Sequence, residues 1–87
     1  MATVRIYKVA ELLGTTSQEV LSLLKRDHGI ELKSASSTLE EVVARSFVER
    51  VELAERLAAE SGVTWAELDL DAQERWYVEA KDRLRDA

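Results

Sequence analysis

The chain has no cysteine, no proline, one histidine and only three glycines. Without cysteine there is no disulfide framework and no thiolate metal site. Without proline, and with the glycines isolated at Gly14, Gly29 and Gly62, the pattern leaves little room for long ordered loops and holds no glycine-rich phosphate loop. The single histidine, His28, stands in Asp27-His28-Gly29 with no motif partner. It reads as a helix-end residue rather than a metal ligand or catalyst. The serines include no nucleophile-elbow pattern. No apolar stretch reaches the ~18 residues of a membrane span. Arg5, Lys8 and Glu11 break up the region where a signal peptide would need its apolar run. These absences predict a cytoplasmic, non-enzymatic protein with no cofactor, no metal, no membrane contact and no small-molecule substrate.

What is present is folded-protein composition: 87 residues, 46% hydrophobic and 33% charged. The net charge of −5 is unevenly spread. Residues 1–33 carry five basic and four acidic groups, whereas residues 34–87 carry seven basic and thirteen acidic ones. Any contact with phosphate is therefore expected in the first part.

Val4 to Tyr7 alternates in polarity and predicts a short strand. Val9, Leu12 and Leu13 recur at helical spacing and Gly14 ends that turn. Thr16 and Glu19 form a capping box for a helix that runs to about Asp27 and buries Val20, Leu21, Leu23 and Leu24. Ile30 to Lys33 alternates again and is expected to pair with the first strand. Ser37 with Glu40 reads as a second box, opening one long helix from Thr38 to about Glu60. Its stripe is Leu39, Val43, Phe47, Val51, Ala54 and Ala58. After Gly62, Thr64 with Glu67 and Asp71 with Glu74 make two further boxes. The last helix then places Ala72, Trp76, Ala80 and Leu84 at i+4 steps.

In order along residues 3–45 stand VRIYKVAELLG, the capped helix TSQEVLSLLK, the segment GIELKS and the cap SSTLEE. Together they resemble the N-terminal domain family of bacterial translation initiation factor 2, over about half the chain. The resemblance implies a small α+β unit with short strands beside three helices, related to modules that contact RNA or the ribosome. The chain departs from the family pattern at Thr15, where an apolar residue is usual. The GTPase that follows this domain in the factor has no counterpart in these residues, so the expectation is a stand-alone use of the module.

Ala10, Gly14 and Val20 also stand at helix-turn-helix spacing, which makes Thr16 to Lys25 a candidate recognition helix. The candidate nucleic-acid contacts are Lys8, Ser17, Gln18, Ser22, Lys25, Arg26 and Lys33. Gln18 suits an adenine edge, and the cations suit phosphates. A protein partner or a homodimer is the competing reading. It rests on Trp65, Trp76 and Tyr77 in the tail and on Val48 and Leu53, which lie off the stripe of the long helix.

The expected architecture is mainly α: a small α+β bihelical unit over residues 1–36, a long connecting helix over 37–61, and a helical tail over 62–87 that packs back on it. The expected function is a non-catalytic binding module for RNA, the ribosome or DNA, with a protein-interaction adaptor as the alternative.

Overall fold

The computed structural model describes residues 2–86, Asp86 by its backbone alone. The order of elements is β1 (Thr3–Arg5), α1 (Ile6–Leu13), α2 (Ser17–His28), β2 (Thr38–Glu40), α3 (Glu41–Glu60), a 3₁₀ turn (Trp65–Glu67) and α4 (Leu70–Asp86). The fold is mainly α with one small α+β unit. Two compact units divide the chain, residues 1–48 and residues 49–87. The division falls inside α3, where the sequence suggests a single connecting helix.

In the first unit β1 and β2 pair antiparallel, with Val4 opposite Leu39. Flanking backbone bonds extend the tie, from Ile6 N to Ser37 O and from Tyr7 N to Ala35 O, each 3.0 Å. Gly14 closes α1 in the left-handed region at φ 66°, and its N–H reaches the carbonyls of Ala10 and Glu11. The Thr16 hydroxyl then accepts from Glu19 N at 3.2 Å, as the capping box predicts. Thr15 Oγ1 also donates to the Glu19 carboxylate. The buried side chains of this unit are Ile6, Val9, Ala10, Val20, Leu23, Leu24, Leu39, Ala44 and Phe47. His28 is half-buried, its ring edge-on to Phe47 with centroids 6.3 Å apart.

Several sequence expectations need correction here. Residues 30–33 form no strand, and the partner of β1 is Thr38–Glu40. Both segments alternate in polarity, but only the second follows the serine turn that brings the chain alongside β1. That turn is closed by Ser37 N to Ser34 O at 3.0 Å and by Ser34 N to Ser37 Oγ at 3.2 Å. Because residues 38–40 are extended, the expected Ser37–Glu40 capping box does not form and the long helix begins at Glu41. The first strand also starts one residue earlier and ends two residues earlier than expected, since Ile6 and Tyr7 are already helical. Leu12 is 67% exposed, and Leu21 is only half-buried.

Gly29 ends α2 at φ 66°, with its N–H on the carbonyls of Leu24 and Lys25. A Cβ built there would meet nothing within 4 Å. Gly29→Ala should therefore cost only the left-handed backbone penalty, roughly 1–2 kcal/mol, measurable by urea denaturation.

The second unit holds the end of α3, the 3₁₀ turn and α4. Gly62, at φ 82°, follows α3, and Val63 N returns to Ala58 O at 2.9 Å. Thr64 precedes the 3₁₀ turn but makes no side-chain cap bond. The cap of α4 is Asp69, whose Oδ1 accepts from Ala72 N at 2.9 Å, rather than Asp71 as the spacing suggests. Ala54, Leu57 and Ala80 form a buried cluster, with Leu53, Trp65 and Trp76 packed against it. The fully buried positions of α4 are Gln73, Tyr77 and Ala80. Ala80 is buried as expected, whereas Gln73 and Tyr77 take the buried places expected of Ala72 and Trp76. Gln73 donates from Nε2 to Trp65 O at 3.3 Å, which ties the turn to the helix.

Glu55 on α3 has its carboxyl pushed above the usual glutamate range, first by burial and then by the charge of Glu52. An acid whose pKa is higher in the folded state binds more protons there. Its contribution to stability is most favourable below its ordinary pKa and declines as pH rises through the raised value. Glu55→Gln should accordingly raise Tm at pH 7. The gain should shrink toward zero below pH ~4, where the carboxyl is protonated in both states. Paired thermal melts at the two pH values check this.

Candidate nucleic-acid interface

Gln18, Ser22 and Lys25 are separated by four and three residues, so α2 carries them on one face. Past Gly29 the chain runs back beside that face as an irregular segment. Together they form an open groove of about 600 Å³, lined by Gln18, Leu21, Ser22, Lys25, Glu31, Leu32 and Lys33. The apolar part is Leu21 and Leu32, both half-buried. The polar part combines an amide, a hydroxyl, two ammonium groups and the Glu31 carboxylate. Lys25 Nζ lies 3.2 Å from Glu31 Oε1. Both side chains are mostly exposed, so this pair contributes little to stability and Lys25 remains exchangeable with an anionic ligand. Lys33 has no ion-pair partner among the described residues.

Four of the seven sequence-predicted contacts thus come together: Gln18, Ser22, Lys25 and Lys33. The other three do not line the groove. Ser17 is half-buried at the start of α2, and Arg26 is exposed on α2. Lys8 belongs to α1 and lies 3.9 Å from Glu11. The sequence reading missed Leu21, Leu32 and Glu31. The last was detectable as the acidic residue in the GIELKS segment closest to Lys33.

The groove is lined by no aromatic ring, histidine or cysteine. It can hold a sugar–phosphate backbone through cations and hydrogen-bond donors, but it offers no stacking platform for a base. No group of three His, Asp or Glu side chains is placed to hold a metal among the described residues. None of the described helices is long and apolar enough to cross a membrane.

Of the five residues expected at a protein contact, four lie in or against the core of the second unit and Val48 does not. Tyr77 is fully buried, and Leu53, Trp65 and Trp76 pack on the cluster of the second unit. The small side chains Ala54 and Ala80 leave room there for the large rings, so these residues supply core in this unit. Val48 is half-buried and lines a second, apolar groove of the first unit.

Residues 1–45 match the family described as translation initiation factor IF-2, N-terminal region. The chain is 47% identical over 64 residues to translation initiation factor IF-2 of Thermus thermophilus, covering 69% of this chain and 11% of the relative. It is 36% identical over 52 residues to translation initiation factor IF-2 of Petrotoga mobilis, covering 60% of this chain and 7% of that protein. The chain therefore spans about a tenth of the length of the curated relatives it matches. No solved structure matches. The α1–Gly14–α2 unit, β2 and the groove beside α2 all lie within the matched residues, and the chain belongs to the family of the N-terminal region of translation initiation factor IF-2.

Proposed function

We propose that the chain is a non-catalytic module of the translation machinery that contacts ribosomal RNA through the groove beside α2. One observation carries this reading. Two segments separated in sequence, α2 and residues 31–33, bring Gln18, Ser22, Lys25 and Lys33 around one open surface. Cations and neutral donors without stacking rings suit the backbone and 2′-hydroxyls of an RNA helix, which are read by shape and polar contacts. The names of the relatives support a translation context. The net charge of −5 restricts contact to few phosphates and so favours a defined docking site over broad electrostatic adhesion.

A duplex DNA ligand is the second reading. Ala10 and Val20 are buried at 4% and 1%, and Gly14 turns between them, as a helix-turn-helix would require. Capture from lysate with and without nuclease separates these readings. Ribosomal particles retained by the chain and released by RNase support the proposal. Release by DNase alone supports the helix-turn-helix reading. A single protein partner that survives both treatments contradicts both.

A further inference from the structure

The first unit carries a second groove on a different set of side chains. It is lined by Val4 of β1, Val9 and Leu12 of α1, and Ala44 and Val48 of α3, with Glu41 and Arg45 at its edge. Its volume is about 220 Å³. That is smaller than the ~300–1,000 Å³ of typical small-molecule pockets and suits one or two side chains of a polypeptide. Glu41 is shared with an adjoining hollow of about 290 Å³ lined by Ala2, Glu40, Glu41 and Val42. The two hollows therefore adjoin at Glu41 and make one shallow, mostly aliphatic surface channel with Glu40 and Glu41 toward one end. Leu12 and Val42 are 67% and 71% exposed. Single exposed aliphatics are ordinary, but Leu12 here lines the same hollow as the fully buried Val9.

The charges decide what can occupy the channel. Glu41 is already held by Arg45 at 2.7 Å. Glu40 is exposed and has no ion-pair partner among the described residues. With Glu41 compensated by Arg45, the uncompensated charge at this end is the Glu40 carboxylate, which disfavours RNA, anionic lipid and a second copy of this acidic chain and attracts lysine or arginine. We propose that this channel docks a segment of a partner protein in which one or two aliphatic residues are followed by basic ones. The aliphatic side chains enter between Leu12 and Val48, and the basic residues lie against Glu40. The site is separate from the groove beside α2, so it stands or falls independently of RNA binding.

The test is fluorescence anisotropy with a labelled amphipathic helical peptide that carries leucines at i and i+4 and two lysines one turn later. A control peptide has glutamates in place of the lysines. The lysine peptide should bind at least about tenfold more tightly than the glutamate peptide. Leu12→Gln should weaken it by about tenfold or more. Glu40→Gln should weaken it by about twofold to fivefold. Lys25→Gln, in the other groove, should leave it unchanged. Circular dichroism confirms that the variants keep their helices, as expected for three exposed positions. The proposal is overturned by no binding up to about 1 mM, by equal binding of the two peptides, or by binding that Leu12→Gln leaves intact.

Discussion

Phe47→Ala should remove about 3–5 kcal/mol of stability and take most of the first unit's cooperativity with it. Phe47 is 1% exposed and is the largest buried side chain of that unit. Its ring meets the edge of His28 at the end of α2, so truncation also removes an inter-element contact. A chain of this length has roughly 4–13 kcal/mol of total stability at 0.05–0.15 kcal/mol per residue. The loss is therefore a large share of the whole. Tm should fall by more than about 12 °C, given roughly 4–8 °C per kcal/mol for a domain of this size. Leu12→Gln on the exposed side of α1 should stay within about 0.5 kcal/mol of the parent. Thermal and urea denaturation of the two variants check the contrast. A Phe47→Ala loss below about 1 kcal/mol would contradict the assignment of Phe47 to the core.

The joint substitution Lys25→Gln and Lys33→Gln should weaken binding to an A-form RNA hairpin by at least about tenfold at 0.1 M salt. Each lysine is taken to neutralise one phosphate. The slope of log affinity against log salt should therefore become shallower by about two for the pair and about one for either alone. Glu31→Gln should move the other way, because Glu31 competes with phosphate for Lys25. Lys8→Gln should have little effect, since Lys8 lies outside the groove beside Glu11. A salt titration monitored by anisotropy reads all of these variants.

The helical part of the first unit was legible because its signals are local. Gly14, the Thr16–Glu19 box and Gly29 each mark a boundary through bonds made within a few residues. Strand pairing was not legible, because it is decided at long range. Ile30 to Lys33 and Thr38 to Glu40 show the same alternation, and only the bonds that Ile6 and Tyr7 N–H donate to the carbonyls of Ser37 and Ala35 select the second. The α4 face was misread by one residue because Gln73 is polar yet fully buried. Its Nε2 donates to the carbonyl of Trp65, a partner that periodicity does not reveal. With that phase, Tyr77 rather than Trp76 is the fully buried ring. The candidate site was half legible. Spacing on α2 grouped Gln18, Ser22 and Lys25, but the approach of Glu31, Leu32 and Lys33 depends on the path of the chain after Gly29. Leu12 looked like core by its spacing to Val9 and proved to line an open apolar groove.

The central claim is that the groove beside α2 is the surface that meets RNA. Titration of the ¹⁵N-labelled chain with an A-form RNA hairpin, followed by amide chemical shifts, tests it most directly. The shifts should concentrate at Gln18, Ser22, Lys25 and residues 31–33, with Leu12, Ala44 and the 65–80 region unmoved. Shifts centred on Leu12, Ala44 and Val48, or none at saturating RNA, would contradict it.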